Sequence, residues 1–205
     1  SNRFTDPVPL YVQTAMRISA DRGSGGGEAQ GLGCPLLPIA LHTTTLDGRD
    51  EGDKLQNIRN GTGEGNFGWL RWTDDTEAIE SNPNSEEYLA EELANPRLAM
   101  NDYKEPEHKD ADDTVINDGD WVWGLTGNVN SNGVAKQELD RLVTEGQRHL
   151  VPVWDTAEGT GSNTVYHIVG FAWVILYDFD LTGNPKEISA TFMGWDNGTC
   201  RGNGH

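Results

Sequence analysis

The sequence predicts an α+β domain: a mainly antiparallel sheet with a long C-terminal hairpin, one packed helix and long irregular loops, in a single exported unit over 1–205. Three observations carry that prediction. The last third is rich in β-branched and aromatic residues, with TVYHIVGFAWVILYDFDLTG (164–183) and EISATFMGWD (187–196) joined through the turn residues TGNP. VAKQELDRLVTEGQRH (134–149) has a helical period: Leu139, Leu142 and Val143 share a face, and Glu138 and Arg141 are spaced for an i,i+3 pair. The 25 glycines, with a hydrophobic share of 35%, imply a compact core wrapped in solvated loops.

From the N-terminus, VPLYVQTAMRIS (8–19) reads as a first strand, with a helix as the close alternative. The glycines of DRGSGGGEAQGLG (21–33) forbid regular structure and make it a connector. CPLLPIALH (34–42) is apolar and punctuated by proline, so it is an edge strand or a buried extended segment. Residues 47–66 read as a loop and FGWLRW (67–72) as a short strand. A polar, acidic excursion fills about 73–118. Within it SEEYLAEELANP is a helix: Ser85 is a fair N-cap, acidic residues crowd the first turn, Leu89 and Leu93 form an i,i+4 stripe, and Pro96 ends it. DYKEPEHKDADDTVINDGD (102–120) reads as a charged, mobile loop, and WVWGLTG (121–127) as a strand entering a turn. HLVPVWD (149–155) is a further strand. The long arm after it is apolar on both faces from Ile168 to Leu176, which predicts a central strand covered on both sides, with Gly170 marking a bulge. The 134–148 helix is expected on one face of the sheet formed by 121–127, 149–155, 165–180 and 187–195.

Fifteen Lys and Arg against 33 Asp and Glu leave a net charge of −18. Such a chain repels phosphate backbones and anionic membranes, and favours cations, calcium above all, and neutral or basic surfaces. No apolar run is long enough to span a bilayer. The chain opens on SNRFTDP, without an initiator Met or a basic signal region, which reads as a mature or trimmed product whose membrane anchor would lie upstream. The sequons at Asn60 and Asn197 fit a surface location. Cys34 and Cys200 lie far apart and outside any C-x-x-C. The functional reading is a disulfide that ties the C-terminal tail to the start of the core, and the alternative is two unrelated buried thiols.

GEGNFG (63–68) has the letters of a dinucleotide fingerprint in the wrong context. A phosphate-binding loop needs a strand before its glycines and a helix after them. Here a polar loop precedes and a strand follows, so the glycines serve to turn the chain and place Trp69 and Trp72. GTGSNT (159–164) is not a nucleophile elbow. The histidines, His42, His108, His149, His167 and His205, lack ligand spacing, and His167 in an apolar strand reads as a satisfied core residue. Carboxylates are too abundant for a catalytic pair to be singled out. Metal binding is the open option. Asp47, Asp50 and Asp53 sit close together among glycines, and DADD (110–113) and NDGD (117–120) are similar, although none has the EF-hand pattern.

CPLLPIAL, GNFGWLRW, GDWVWGLTG before a helix, VPVWDTAEGTGSNTVYHIVGFAWVIL and EISATFMG together resemble the extracellular C-terminal region of TadE/TadG-like Flp pilus-assembly proteins. The likeness covers roughly 34–72 and 119–200, with the acidic excursion as an insertion and the hydrophobic anchor of such proteins lying outside the chain. It implies an envelope-anchored or pilus-associated component with no enzymatic role, whose partners are protein subunits of a surface assembly. Trp69, Trp72, Trp121 and Trp123 are then the candidate interaction residues, as aromatic patches buried against partner chains. A calcium-dependent binding module and a secreted hydrolase with unassigned carboxylates are the alternatives.

Overall fold

A computed structural model describes residues 35–73, 85–106, 109, 115–125 and 129–198. The fold is α+β, with seven strands in one mostly antiparallel sheet. The elements are β1 (Ile39–His42), α1 (Thr43–Leu46), β2 (Lys54–Arg59), β3 (Phe67–Arg71), α2 (Ser85–Ala94), a 3₁₀ turn (Pro96–Leu98), α3 (Ala99–Asp102), β4 (Trp121–Gly124), α4 (Val134–Glu145), β5 (His149–Glu158), β6 (Val165–Asp180) and β7 (Glu187–Trp195). The strand order is β2-β7-β6-β4-β3-β1-β5, and β5 also pairs with β6. That second pairing closes β6, β4, β3, β1 and β5 into a ring, which leaves no free edge along it. β6 joins the two parts of the sheet. Its first residues pair with β4 and its later ones with β7, while β5 takes the opposite edge. The hairpin of β6 and β7, edged by β2, forms a wing beside the ring.

Alternating side chains sort into two cores. One holds Ile39, Leu41, Phe67, Trp69, Val151, Val153, Val174 and Phe192, and is closed by Leu89 and Leu93 of α2 and Leu139 and Leu142 of α4. The predicted stripes of both helices therefore face the sheet, and Arg141 ties them together: it pairs with Glu138 at 2.8 Å and donates to the Leu93 carbonyl at 3.3 Å. Gly146 ends α4 in the left-handed region at φ 58, with its N–H on the Leu142 carbonyl. The second core gathers Leu70, Trp72, Val122, Trp154, Tyr166, Ile168 and Phe171. Glycine is required beside it at Gly68, where a Cβ would lie 2.4 Å from the Tyr166 ring.

Of the two readings of 34–42, the buried extended segment holds: β3 and β5 flank β1 and all four of its residues are buried. Two sequence expectations change. The 47–66 loop contains β2, the edge strand of the wing. Its buried residues, Leu55 and Ile58, are three apart across a register irregularity, with Asn57 at φ 53, so it lacks the alternation that marks a strand. The 102–120 stretch is packed where it is described. Tyr103 is 1% exposed and donates to the Trp121 carbonyl at 2.9 Å, and buried Glu105 accepts the Trp121 N–H at 2.9 Å. The Gly170 bulge stands: Val153 faces Gly170 while Trp154 faces Ile168. The 8–19 strand, the 21–33 connector, DADD and both cysteines lie outside the described residues.

Candidate functional site

The tryptophans expected at a contact surface are mostly core. Trp69, Trp72 and Trp123 are 3%, 0% and 7% exposed, because their strands are covered on both faces at those positions. They cannot present ring faces to another chain in this fold. Trp121 is half-buried, and its ring lies between the Lys109 ammonium, 3.6 Å from the centroid, and the His167 ring at 5.0 Å.

Asp47 and Asp50 are exposed and Asp53 is half-buried. The Asp53 carboxylate accepts the Asp50 N–H at 3.0 Å, and the Asp53 N–H returns to the Asp50 carbonyl, so the segment closes as a turn on itself. Among the described residues no group of three or more His, Cys, Asp or Glu is gathered for a metal ion. Asp47, Asp50 and Asp53 are thus neighbours in sequence without forming a ligand set. The fingerprint glycines lead into β3 and not a helix, so no helix N-terminus is available there for a phosphate.

The structure assembles a polar group that sequence order hides. His167 is not a core residue: its side chain is 30% exposed, and its Nδ1 lies 2.8 Å from Asp155 Oδ1. The irregular register after Trp154 pairs His167 with Thr156 and leaves Asp155 beside the ring. Burial pushes the Asp155 carboxyl up, and the hydrogen bond and charge of His167 outweigh it and hold the carboxyl below the ordinary 3.8. Lys109 bonds Glu158 at 2.6 Å on the other side of the Trp121 ring. Both pairs are open to water, where such contacts are screened and weakly stabilising.

Besides Glu105, two further carboxyls are buried: Glu86 and Glu92 are each 3% exposed. Glu86, in the first turn of α2, accepts from Asn130 Nδ2 at 2.5 Å and lies against Gly133, the N-cap of α4. A carboxylate there faces the positive end of the α4 dipole. Glu92, one helical turn beyond Tyr88, sits in an apolar setting. Burial pushes its carboxyl up to about 8, and the nearby Asp102 charge adds to the effect, while hydrogen bonds from Tyr88 and Trp72 oppose it. The Tyr88 hydroxyl accepts the Trp72 N–H at 3.0 Å and is itself driven up by burial and by Glu92.

The wing has one covered and one open face. Val174, Leu176, Ala190 and Phe192 point to the core under α4. Trp173, Ile175 and Tyr177 alternate with them on β6 and sit beside Thr191 and Met193 of β7, all only half-buried. The Lys54 ammonium lies 4.2 Å from the Tyr177 ring centroid and donates to Thr191 Oγ1 at 2.7 Å. The expectation that β6 is covered on both faces from Ile168 to Leu176 fails at Trp173 and Ile175. Among the described residues no helix is long and apolar enough to cross a membrane. No family model, curated protein or solved structure matches this chain.

Proposed function

We propose that the chain is an exported, non-catalytic interaction domain of a cell-surface assembly, in line with its resemblance to TadE/TadG-like pilus-assembly proteins. The observation that carries the reading is the open face of the wing. A strand this apolar, half-buried at Trp173, Ile175 and Tyr177, offers a flat protein-contact surface on a molecule otherwise strongly acidic. Lys54, stacked on Tyr177, adds a positive charge to that face, which a neutral or acidic partner surface would meet. The aromatic residues nearer the ring fill the cores and hold this face in place.

The test places charge on the face without touching a core. The double variant Ile175→Lys, Met193→Glu is expected to fold, with a melting temperature within a few degrees of the wild type, and to fail to enter the envelope assembly in the cells that make it. The same pair of charges on the outer side of α4, at Gln137 and Thr144, both exposed, is expected to enter normally. Normal incorporation of the first variant would contradict the reading.

A further inference from the structure

A cleft of about 310 Å³ opens where the α2–α3 connection meets the start of β5. Arg97 comes from the 3₁₀ turn, whose first residue Pro96 fixes its direction. Arg148 follows the α4 cap at Gly146, and its guanidinium stacks 4.5 Å from the Trp173 ring centroid. Leu150 pairs with Trp173 across β5 and β6, so the floor is apolar, and Pro35 and Pro96 add apolar walls. His149 also lines the cleft, but strand alternation turns its ring toward α4. There burial and the Arg141 charge lower its pKa below 6.5, so it adds no positive charge to the cleft.

Two features mark this place. The chain carries −18, yet two arginines line one largely apolar cleft. Elsewhere Arg59, Lys109, Lys136 and Arg141 are each matched by a carboxylate, whereas among the described residues neither Arg97 nor Arg148 makes such a pair. Stacking on Trp173 holds the Arg148 fork in one plane, which lowers the ordering cost of presenting it to an anion.

We propose that this cleft binds a small organic carboxylate with a flat apolar body, its charge between Arg97 and Arg148 and its body against Pro35, Pro96 and Trp173. Planar guanidinium forks match a carboxylate in two parallel hydrogen bonds. The apolar walls select an organic anion over a strongly hydrated inorganic one, and the acidic field of the whole chain opposes multiply charged ligands more than singly charged ones. The volume lies at the small end of ligand sites. The cleft shares Trp173 with the contact face on the wing but takes its charge from Arg97 and Arg148, and the arginine variants leave Ile175 and Met193 in place, so the two readings fail separately.

Phenylacetate is the probe, titrated into the full chain and followed by amide and indole resonances in NMR. The expected result is saturable shifts at Trp173 and its neighbours with a Kd of about a millimolar or tighter, in line with a ligand of this size. Arg148→Gln and Arg97→Gln are each expected to weaken binding about fivefold, and uncharged phenylacetamide to bind at least about tenfold more weakly. Both arginines are exposed, so the variants keep their cores, and unchanged spectra away from the cleft verify that. Absence of shifts up to about 20 mM, equal binding of the amide, or tighter binding of inorganic phosphate at the same resonances would each overturn the proposal.

Discussion

Between pH 7 and 9 the protein is expected to lose about 1–2 kcal/mol of stability, and the Glu92→Gln variant to lose none of it. The folded carboxyl titrates at about 8 against an ordinary 4.5, so the folded state keeps a proton that the unfolded chain has released. The contribution is complete below about pH 4.5, falls as pH rises through the folded value near 8, and is gone above it. His149 acts in the opposite sense. Its pKa is lowered from 6.5, so its contribution is lost as pH falls below that value, and the pH 7–9 interval separates the two. The carboxyls of Asp155 and Asp180 are lowered from 3.8 and their contributions change only in acid. At pH 7 the variant is expected to be at least as stable as the wild type, because the amide is neutral in both states, whereas the carboxyl, ionised in the unfolded chain, must take up a proton to fold. Chemical denaturation of both proteins at pH 7, 8 and 9 measures this. A wild type that gains stability over that range, or a variant that follows the wild type, would show that Glu92 is ionised or solvated in the fold.

Gly133→Ala is expected to cost about 2–4 kcal/mol even though its backbone suits alanine. The residue has φ −93 and ψ −172, ordinary extended geometry, so no strain opposes a side chain. The obstacle is Glu86: a Cβ at position 133 would lie 1.2 Å from its Oε1 and 2.1 Å from its Cδ. The methyl would displace a buried carboxylate from Asn130 and from the start of α4. Glu86→Ala should cost a similar amount by removing that contact. In the double variant the methyl enters space that the carboxylate has left, so the two losses are expected to fall short of additive by at least about 1 kcal/mol. Thermal melts of the four proteins give the coupling. Strict additivity would mean that Glu86 does not occupy the Gly133 contact.

Local patterns carried well where burial follows a regular period. The stripes Leu89–Leu93 and Leu139–Leu142 placed two helices, and the apolar length of 165–180 placed the central strand. The misses share one cause, that tertiary pairing is silent in local sequence. Leu55 and Ile58 are both buried, yet a backbone irregularity separates them and masks β2. The charged run around Tyr103 and Glu105 looked solvated, but the Tyr103 hydroxyl and the Glu105 carboxyl meet the backbone of Trp121. His167 looked apolar by its neighbours, and only the register of β5 against β6 brings Asp155 to it. Arg97 and Arg148 gave no motif because one follows α2 and the other follows α4. Trp69, Trp72 and Trp123 stood out for their composition, which does not distinguish a core from a contact. Trp173, inside the run Ile168–Leu176 read as covered on both faces, is partly open, as is Tyr177 just beyond it.

Oxidative footprinting compares the open wing face in the isolated chain and in the native envelope assembly. Half-buried Trp173, Tyr177 and Met193 should react in the free protein and become protected at least about threefold on assembly, while exposed residues on the outer side of α4 should not change. Equal reactivity of Trp173, Tyr177 and Met193 in the two states would contradict a contact role for the wing.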